Sequence, residues 1–313
     1  VPAADEVWRL QRGTDRECRF FQAMADKGHY GGGQGTRQGI YVCSSSGDFL
    51  ASINSLNPDA VITTLETALH KWQQLPETAR RRGSGTKSAP AHRWETSYPD
   101  DGLVLVSVNR DLVAEQGGLR RTGDRWNRDH VWFSAEEARS WLPADPIPRA
   151  VHQLPEPLVR RLAQFHLVDN VRGQTLPFAA EEVSGSEIQT EVLERRGQSV
   201  RLRISGVTRA VAEGPWLMGD NGWRPPREFP RRTATQLHGY ATYDLARAAF
   251  TEFEVVAVSR WRGCTQNNGR SRGPKEGTTG FVLTLAEDTP GEHVPPAFID
   301  VYDAEWVTPP PSP

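Results

Sequence analysis

The chain has 313 residues, 37% of them hydrophobic and 24% charged, and 37 basic against 39 acidic side chains leave a net charge of −2. Such a composition describes a globular protein of about two domains and excludes a global field that would recruit nucleic acid or an anionic membrane. No apolar run approaches the ~18 residues that span a bilayer. Cys18, Cys43 and Cys264 are too few and too far apart for a disulfide framework, a CxxC pair or a zinc ribbon.

In chain order, Val7–Gln11 (VWRLQ) reads as an opening strand. Thr14-Asp-Arg-Glu17 fits a capping box, in which the threonine and the glutamate each satisfy a backbone N–H. The helix that follows runs to about Lys27, with Cys18, Phe21 and Met24 inward and Gly28 as its stop. The Gly31–Gly35 loop leads to a hairpin of strands Gly39–Cys43 and Phe49–Ile53 around the Ser44–Asp48 turn. Asn57 is an N-cap with Pro58 at the first helical position, where its missing N–H is harmless. Val61, Ile62, Leu65, Leu69 and Trp72 recur at helical spacing as one apolar stripe. Residues 1–76 thus form a β-α-β-β-α module.

Residues 77–98, with ETARRRGSGTKSAP, read as a basic Gly/Ser linker. Its three consecutive arginines are a solvated charge run or a contact for an anionic partner. Residues 99–167 read as a mixed connecting segment. It contains a buried strand at Leu103–Val108, the aromatic stretch RWNRDHVWF (125–133), a second capping box at Ser134–Glu137 and a short helix over Pro157–Phe165. From about Val168 the period changes from 3.6 to 2. Glu191–Glu194 and Val200–Ile204 form a hairpin around Arg196-Gly197, with Val200, Leu202 and Ile204 inward and Arg201 and Arg203 outward. Thr235–Tyr243, Phe253–Ser259 and Gly280–Ala286 are further strands. Residues 168–307 read as an antiparallel β-sandwich or barrel, and 308–313 as a flexible tail.

The hairpin-into-helix order over Thr36–Trp72 resembles the C-terminal half of the thioredoxin-like fold, over about a fifth of the chain. That family carries a CxxC pair at the start of its first core helix and a cis-proline before the hairpin strand. Here Cys18 has no cysteine three residues away, and Thr36-Arg37-Gln38 stands where the proline is expected. The resemblance therefore implies a degenerate scaffold without the usual disulfide exchange. Cys18 near a helix N-terminus is activated by the dipole if exposed and inert if buried with Phe21 and Met24. In an oxidising compartment it can pair with Cys43. Val1 and the following PAADE are compatible with a mature exported bacterial chain or with an arbitrary boundary, so a periplasmic, extracellular or cytoplasmic location stays open.

Gly28-His29-Tyr30-Gly31 offers an exposed His–Tyr pair for a ligand, or simply a helix-exit loop; its glycine spacing fits neither a P-loop nor a dinucleotide fingerprint. Asp129 and His130, with a distant hydroxyl, are the parts of a triad, although no G-x-S-x-G elbow supplies a nucleophile; the alternative is aromatic packing by Trp126, Trp132 and Phe133. In HGYATYD (238–244), alternation puts His238, Tyr240 and Thr242 on one face, a ligand surface if that face lines a barrel and a solvated one if not. The loop RWRGCTQNNGRSRGPKEG brings Trp261, Arg262 and Arg270 beside Arg272 and Lys275, a combination that holds small anions or a protein partner. No metal-ligand spacing or haem-attachment motif occurs, so no metal or cofactor is expected.

The α+β reading is a non-catalytic binding or assembly protein with a β-domain recognition surface. Its ligand contacts are His238, Tyr240, Trp261, Arg262 and Arg270, with His29 and Tyr30 as N-terminal candidates. The expected partner is a protein or a small anionic ligand, without nucleic acid or a membrane span. The alternatives are a thiol-redox protein using Cys18 with Cys43, and a hydrolase built around His130.

Overall fold

A computed structural model describes residues 7–33, 35–55, 57–81, 97–112, 126–173, 175, 177–213, 230–264, 268, 270, 276–289 and 291–297. The chain divides into two units, Val1–Pro90 and Ala91–Pro313. Most of the expected 77–98 linker, the loop positions Gly269, Arg272 and Lys275 and the 308–313 tail lie outside the described residues.

The first unit runs α1 (Val7–Arg12), α2 (Arg16–Lys27), β1 (Ile40–Cys43), β2 (Phe49–Ile53), α3 (Pro58–Gln74) and α4 (Glu77–Arg80). The opening segment is a helix, not the expected strand. Five residues with three apolar side chains carry no decisive period, and here the Gln22 side chain draws the segment onto α2 by donating to the Leu10 and Gly13 carbonyls at 3.0 and 2.9 Å. The order is therefore α-α-β-β-α-α. The cap of α2 is Asp15 rather than Thr14, its carboxylate accepting the Cys18 N–H at 2.9 Å. Asn57 caps α3 as expected, accepting the Ala60 N–H, with Pro58 in the first turn.

The stripe on α3 is only partly covered. Ala68, Trp72 and Leu75 pack on Leu50, Ala51 and Val42, while Ile62, Leu65 and Leu69 are about half exposed. A sheet of two strands about 4.8 Å apart is too narrow to shield the whole apolar arc of a 17-residue helix.

The second unit holds β3 (Leu103–Leu112), β4 (Trp126–Phe133), α5 (Ala135–Arg139), β5 (Val151–Gln153), α6 (Glu156–Arg161), β6 (Glu187–Arg196), β7 (Ser199–Ala212), β8 (Arg231–Asp244), β9 (Ala249–Gly263) and β10 (Glu276–Leu285). Its strands form one antiparallel sheet in the order β4-β3-β10-β9-β8-β7-β6-β5. Where the sequence left sandwich or barrel open, the described strands make a single open sheet. The 99–167 segment is not a separate connector, because β3 pairs with β10 through Val108↔Val282. The β6–β7 hairpin turns between Arg196 and Ser199, and Val200, Leu202 and Ile204 face inward as alternation required.

The inner face is covered by the described residues of the 134–183 segment. Leu105, Phe133, Leu202, Ile204, Phe253 and Leu283 meet Trp141, Leu158 and Leu162 in the main core, each side chain contributing about 1.5–3 kcal/mol by leaving water. The Ser134–Glu137 capping box forms and starts α5. After α6 the backbone widens into a π-helical turn, Leu162–His166, closed by the Leu167 N–H on the Leu162 carbonyl at 2.8 Å. That turn carries Gln164 and His166 inward together.

Candidate functional site

Strand register assembles one row of side chains across the outer face of all eight strands: Arg128, Val108, Val282, Val256, His238, Ser205, Gln189 and Gln153. In its middle Val256 is 48% and Val282 41% exposed, and neighbouring Val258 is 43% exposed. Large β-branched side chains at the centre of a wide sheet are ordinarily buried. A trough of about 700 Å³ runs here, lined by His238, Tyr240, Val256, Val258, Gln236 and Gln189. His238 and Tyr240 are joined, Nε2 to hydroxyl at 3.3 Å, with the rings edge to face at 5.2 Å. The Arg201 guanidinium lies 5.8 Å from the Tyr240 ring centre.

Two glycines shape the strands beneath. A Cβ on Gly239 would stand 2.2 Å from the Glu254 carbonyl oxygen and 2.6 Å from Val255 Cα; one on Gly206 would stand 2.4 Å from the Glu187 carbonyl. Only glycine lets β8 and β7 approach their neighbours this closely.

The other residues expected at the ligand are dispersed. Arg262 is exposed on the outer face, but Trp261 and Arg270 are buried on the inner one. Arg270 is 1% exposed and forks onto two carboxylates. It reaches Asp169 through Nε (2.7 Å) and Nη2 (2.6 Å), and Asp111 through Nη1 (3.0 Å) and Nη2 (2.6 Å). Arg172 adds a 2.8 Å bond to Asp111, and the Arg270 guanidinium lies 4.1 Å over the Trp261 ring. Burial raises the Asp169 pKa, and the hydrogen bonds and charge of Arg270 only partly oppose it. Paired this completely, Arg270 is a structural tie rather than a free anion contact. The buried hydroxyl row Thr279, Ser259, Thr235 and Thr208 continues from Asp111 across the sheet.

His130 and Asp129 point to opposite faces of β4, so they do not form the dyad that the sequence offered. His130 bonds through Nε2 to Glu292 at 2.9 Å, a carboxylate that Arg128 also holds at 2.5 Å. Among the described residues no hydroxyl bonds to the ring. Burial pushes the Glu292 pKa up, but the bonds from His130 and Arg128 outweigh it and leave it lowered. Asp129 instead faces His166, Oδ2 to Nδ1 at 3.2 Å, and its other oxygen accepts the His130 and Ala297 N–H groups.

Cys18 and Cys43 of the first unit and Cys264 of the second are not joined in disulfides; Cys18 and Cys264 are buried and Cys43 is exposed. Cys18 Sγ donates to Asp15 Oδ2 at 3.1 Å, and partial burial raises the Cys43 pKa. His29 is stacked on Tyr41 at 4.9 Å with Nε2 on the Gln38 carbonyl, and Tyr30 lies under the Arg37 guanidinium. Both belong to loop packing. No group of three His, Cys, Asp or Glu among the described residues is arranged to hold a metal ion, and no described helix is long and apolar enough to cross a membrane.

No protein-family model, curated protein or solved structure matches this chain. Alternation could flag the His238–Tyr240 face, but not Val108, Val282 and Val256 beside it, because register is invisible in the separate strands. The Asp111–Arg270–Asp169 tie left no local signal at all: its partners stand 159 and 101 residues from Arg270.

Proposed function

We propose that this is a non-catalytic binding or assembly protein whose β unit recognises a protein partner through the outer face of its sheet. The carrying observation is the row of open valines beside the Tyr240–His238 trough. Exposed aliphatic surface flanked by an aromatic and by hydrogen-bonding Gln236, Gln189 and Ser205 is the chemistry of an interface core with a polar rim. The first unit, read as a degenerate thioredoxin-like scaffold, carries no redox chemistry in this reading. Its Cys18 is buried against a carboxylate and its Cys43 is held in the thiol form, whereas exchange needs an accessible thiolate.

Selection of random peptides displayed on phage against the immobilised full chain tests this. Enriched peptides should bind the parent protein and lose about ten-fold or more in affinity to Tyr240→Ala or to Val256→Asp/Val282→Asp. Val256 and Val282 stand directly opposite each other, so the paired aspartates repel and cost some stability; circular dichroism confirms that each variant is folded before its affinity is read. Peptides that bind all variants equally, or no enrichment, would refute the interface.

A further inference from the structure

The end of this face marked by Leu112, Ala212, Arg231, Gly263 and Glu276 carries a second pattern. Arg232 stands directly opposite Arg262, Ala234 opposite Arg260, and Arg209 opposite Ala234. Four arginines thus occupy three adjacent strands, with small Ala234 between two of them. Strand spacing of about 4.8 Å and a two-residue step of about 6.8 Å set Arg232 within about 8 Å of each of the other three, roughly one Debye length, while Arg209 lies two strands, roughly 10–12 Å, from Arg260 and Arg262. All four are exposed. Glu276 opposes Arg262, and Glu213 lies beyond Val211, yet none of the four forms an ion pair among the described residues.

The fold gives no reason for this arrangement. Like charges directly opposite on neighbouring strands destabilise a sheet, and towards the other end of the same face the charges are matched: Arg203 is opposite Glu191 and ion-paired with it. An uncompensated cluster of planar, bidentate donors is what a surface built for carboxylate or another oxyanion retains. Its companions are aliphatic. Val211 and Val258 are each 43% exposed, while Trp126, an exposed aromatic on this face, is three strands away from Arg260 on β4 and exposed Tyr240 stands towards the opposite end of β8. Among the described residues, stacking platforms for bases are therefore missing where the positive charge sits. A long polyanion would also meet the chain's 39 acidic residues, whereas a short segment feels only the local patch.

We propose that Arg209, Arg232, Arg260 and Arg262, with Val211 and Val258, form a docking surface for an acidic, aliphatic-containing segment of a partner protein. The inference rests on the reading of this face as a protein interface and adds the chemistry of what it meets. Carboxylates would bridge the guanidinium pairs, and aliphatic side chains would cover Val211 and Val258 at the edges of the cluster.

The test is fluorescence anisotropy with a labelled octapeptide of alternating glutamate and valine, a serine–valine control and an oligothymidylate, using the full chain. The glutamate–valine peptide should bind at low salt and weaken as salt rises. Binding should fall about ten-fold or more in Arg260→Glu/Arg262→Glu and in Arg209→Glu/Arg232→Glu. The neutral peptide should not bind, and Val256→Asp/Val282→Asp should change the acidic peptide's affinity much less than either arginine reversal. Circular dichroism checks that the variants fold, and glutamine replacements at the same positions should give an intermediate loss. No binding of the acidic peptide, binding indifferent to the arginines, or preference for oligothymidylate would overturn the proposal. If phage-selected peptides still lose affinity to Val256→Asp/Val282→Asp in that case, only the acidic-segment assignment fails; if they do not, the interface reading fails with it.

Discussion

Replacing Arg270 by methionine should destabilise the β unit by about 3–5 kcal/mol, because it breaks a buried ion pair on one side and leaves the carboxylates behind. Methionine keeps much of the stem volume and a favourable sulfur contact with Trp261. The loss is therefore concentrated in four hydrogen bonds of 2.6–3.0 Å to Asp111 and Asp169, both under 10% exposed. For a unit spanning residues 91–313 that corresponds to a fall of about 6–20 °C in melting midpoint. Calorimetry would give the midpoint, and urea unfolding followed by tryptophan fluorescence the free energy. The pH dependence follows from Asp169. Its pKa already lies above the ordinary 3.8 through burial, with Arg270 opposing the rise, so removing the guanidinium raises it further. A carboxyl with a folded pKa above its unfolded value costs stability at high pH, and the cost is relieved as pH falls through the folded pKa. The gap between variant and parent should accordingly be largest near neutrality and narrow as pH falls through the raised folded pKa of Asp169. A loss below about 1 kcal/mol at neutral pH, or a gap that does not shrink, would refute the claim that Arg270 neutralises two buried carboxylates.

Three further outcomes are expected. Gly239→Ala places a methyl 2.2 Å from the Glu254 carbonyl oxygen and should cost about 1–3 kcal/mol or more by overpacking, measured by urea denaturation; an unchanged midpoint would mean that β8 and β9 separate freely. Native alkylation read by intact mass should label Cys43 slowly near neutral pH, since its pKa is raised, and leave Cys18 and Cys264 for the denatured chain; rapid labelling at Cys18 would revive its redox reading. Glu292→Gln should destabilise the protein at neutral pH but not in acid. A carboxylate with a depressed pKa contributes stability above its unfolded value near 4.5 and loses it as pH falls through the folded pKa; equal stability curves for parent and variant would show that His130 and Arg128 gain nothing from it.

Local chemistry was readable wherever neighbours in sequence are neighbours in space. Asn57 capping α3, the Ser134–Glu137 box and the Arg196-Gly197 hairpin each close within a few residues, so spacing alone fixes them. The helix assigned to Val7–Arg12 was not readable, because a short mixed run takes its conformation from whatever partners its backbone groups find, here the Gln22 amide of α2, which donates to the Leu10 and Gly13 carbonyls. The stripe on α3 shows the complementary limit: its periodicity is in the chain, but how much of it is covered depends on the width of the sheet beneath.

The candidate site divides in the same way. By itself the sequence determined that His238 and Tyr240 share a face, since side chains alternate along any strand. Tertiary structure alone decided that this face is the outer one, that register sets Val256, Val282 and Val108 in line with His238, and that Arg209 and Arg232 gather with Arg260 and Arg262. It also decided that Arg270 turns inward to Asp111 and Asp169. The physical reason is that alternation is a property of one strand, whereas register and burial are properties of pairs of strands far apart in the chain, and no local pattern encodes which pairs will meet.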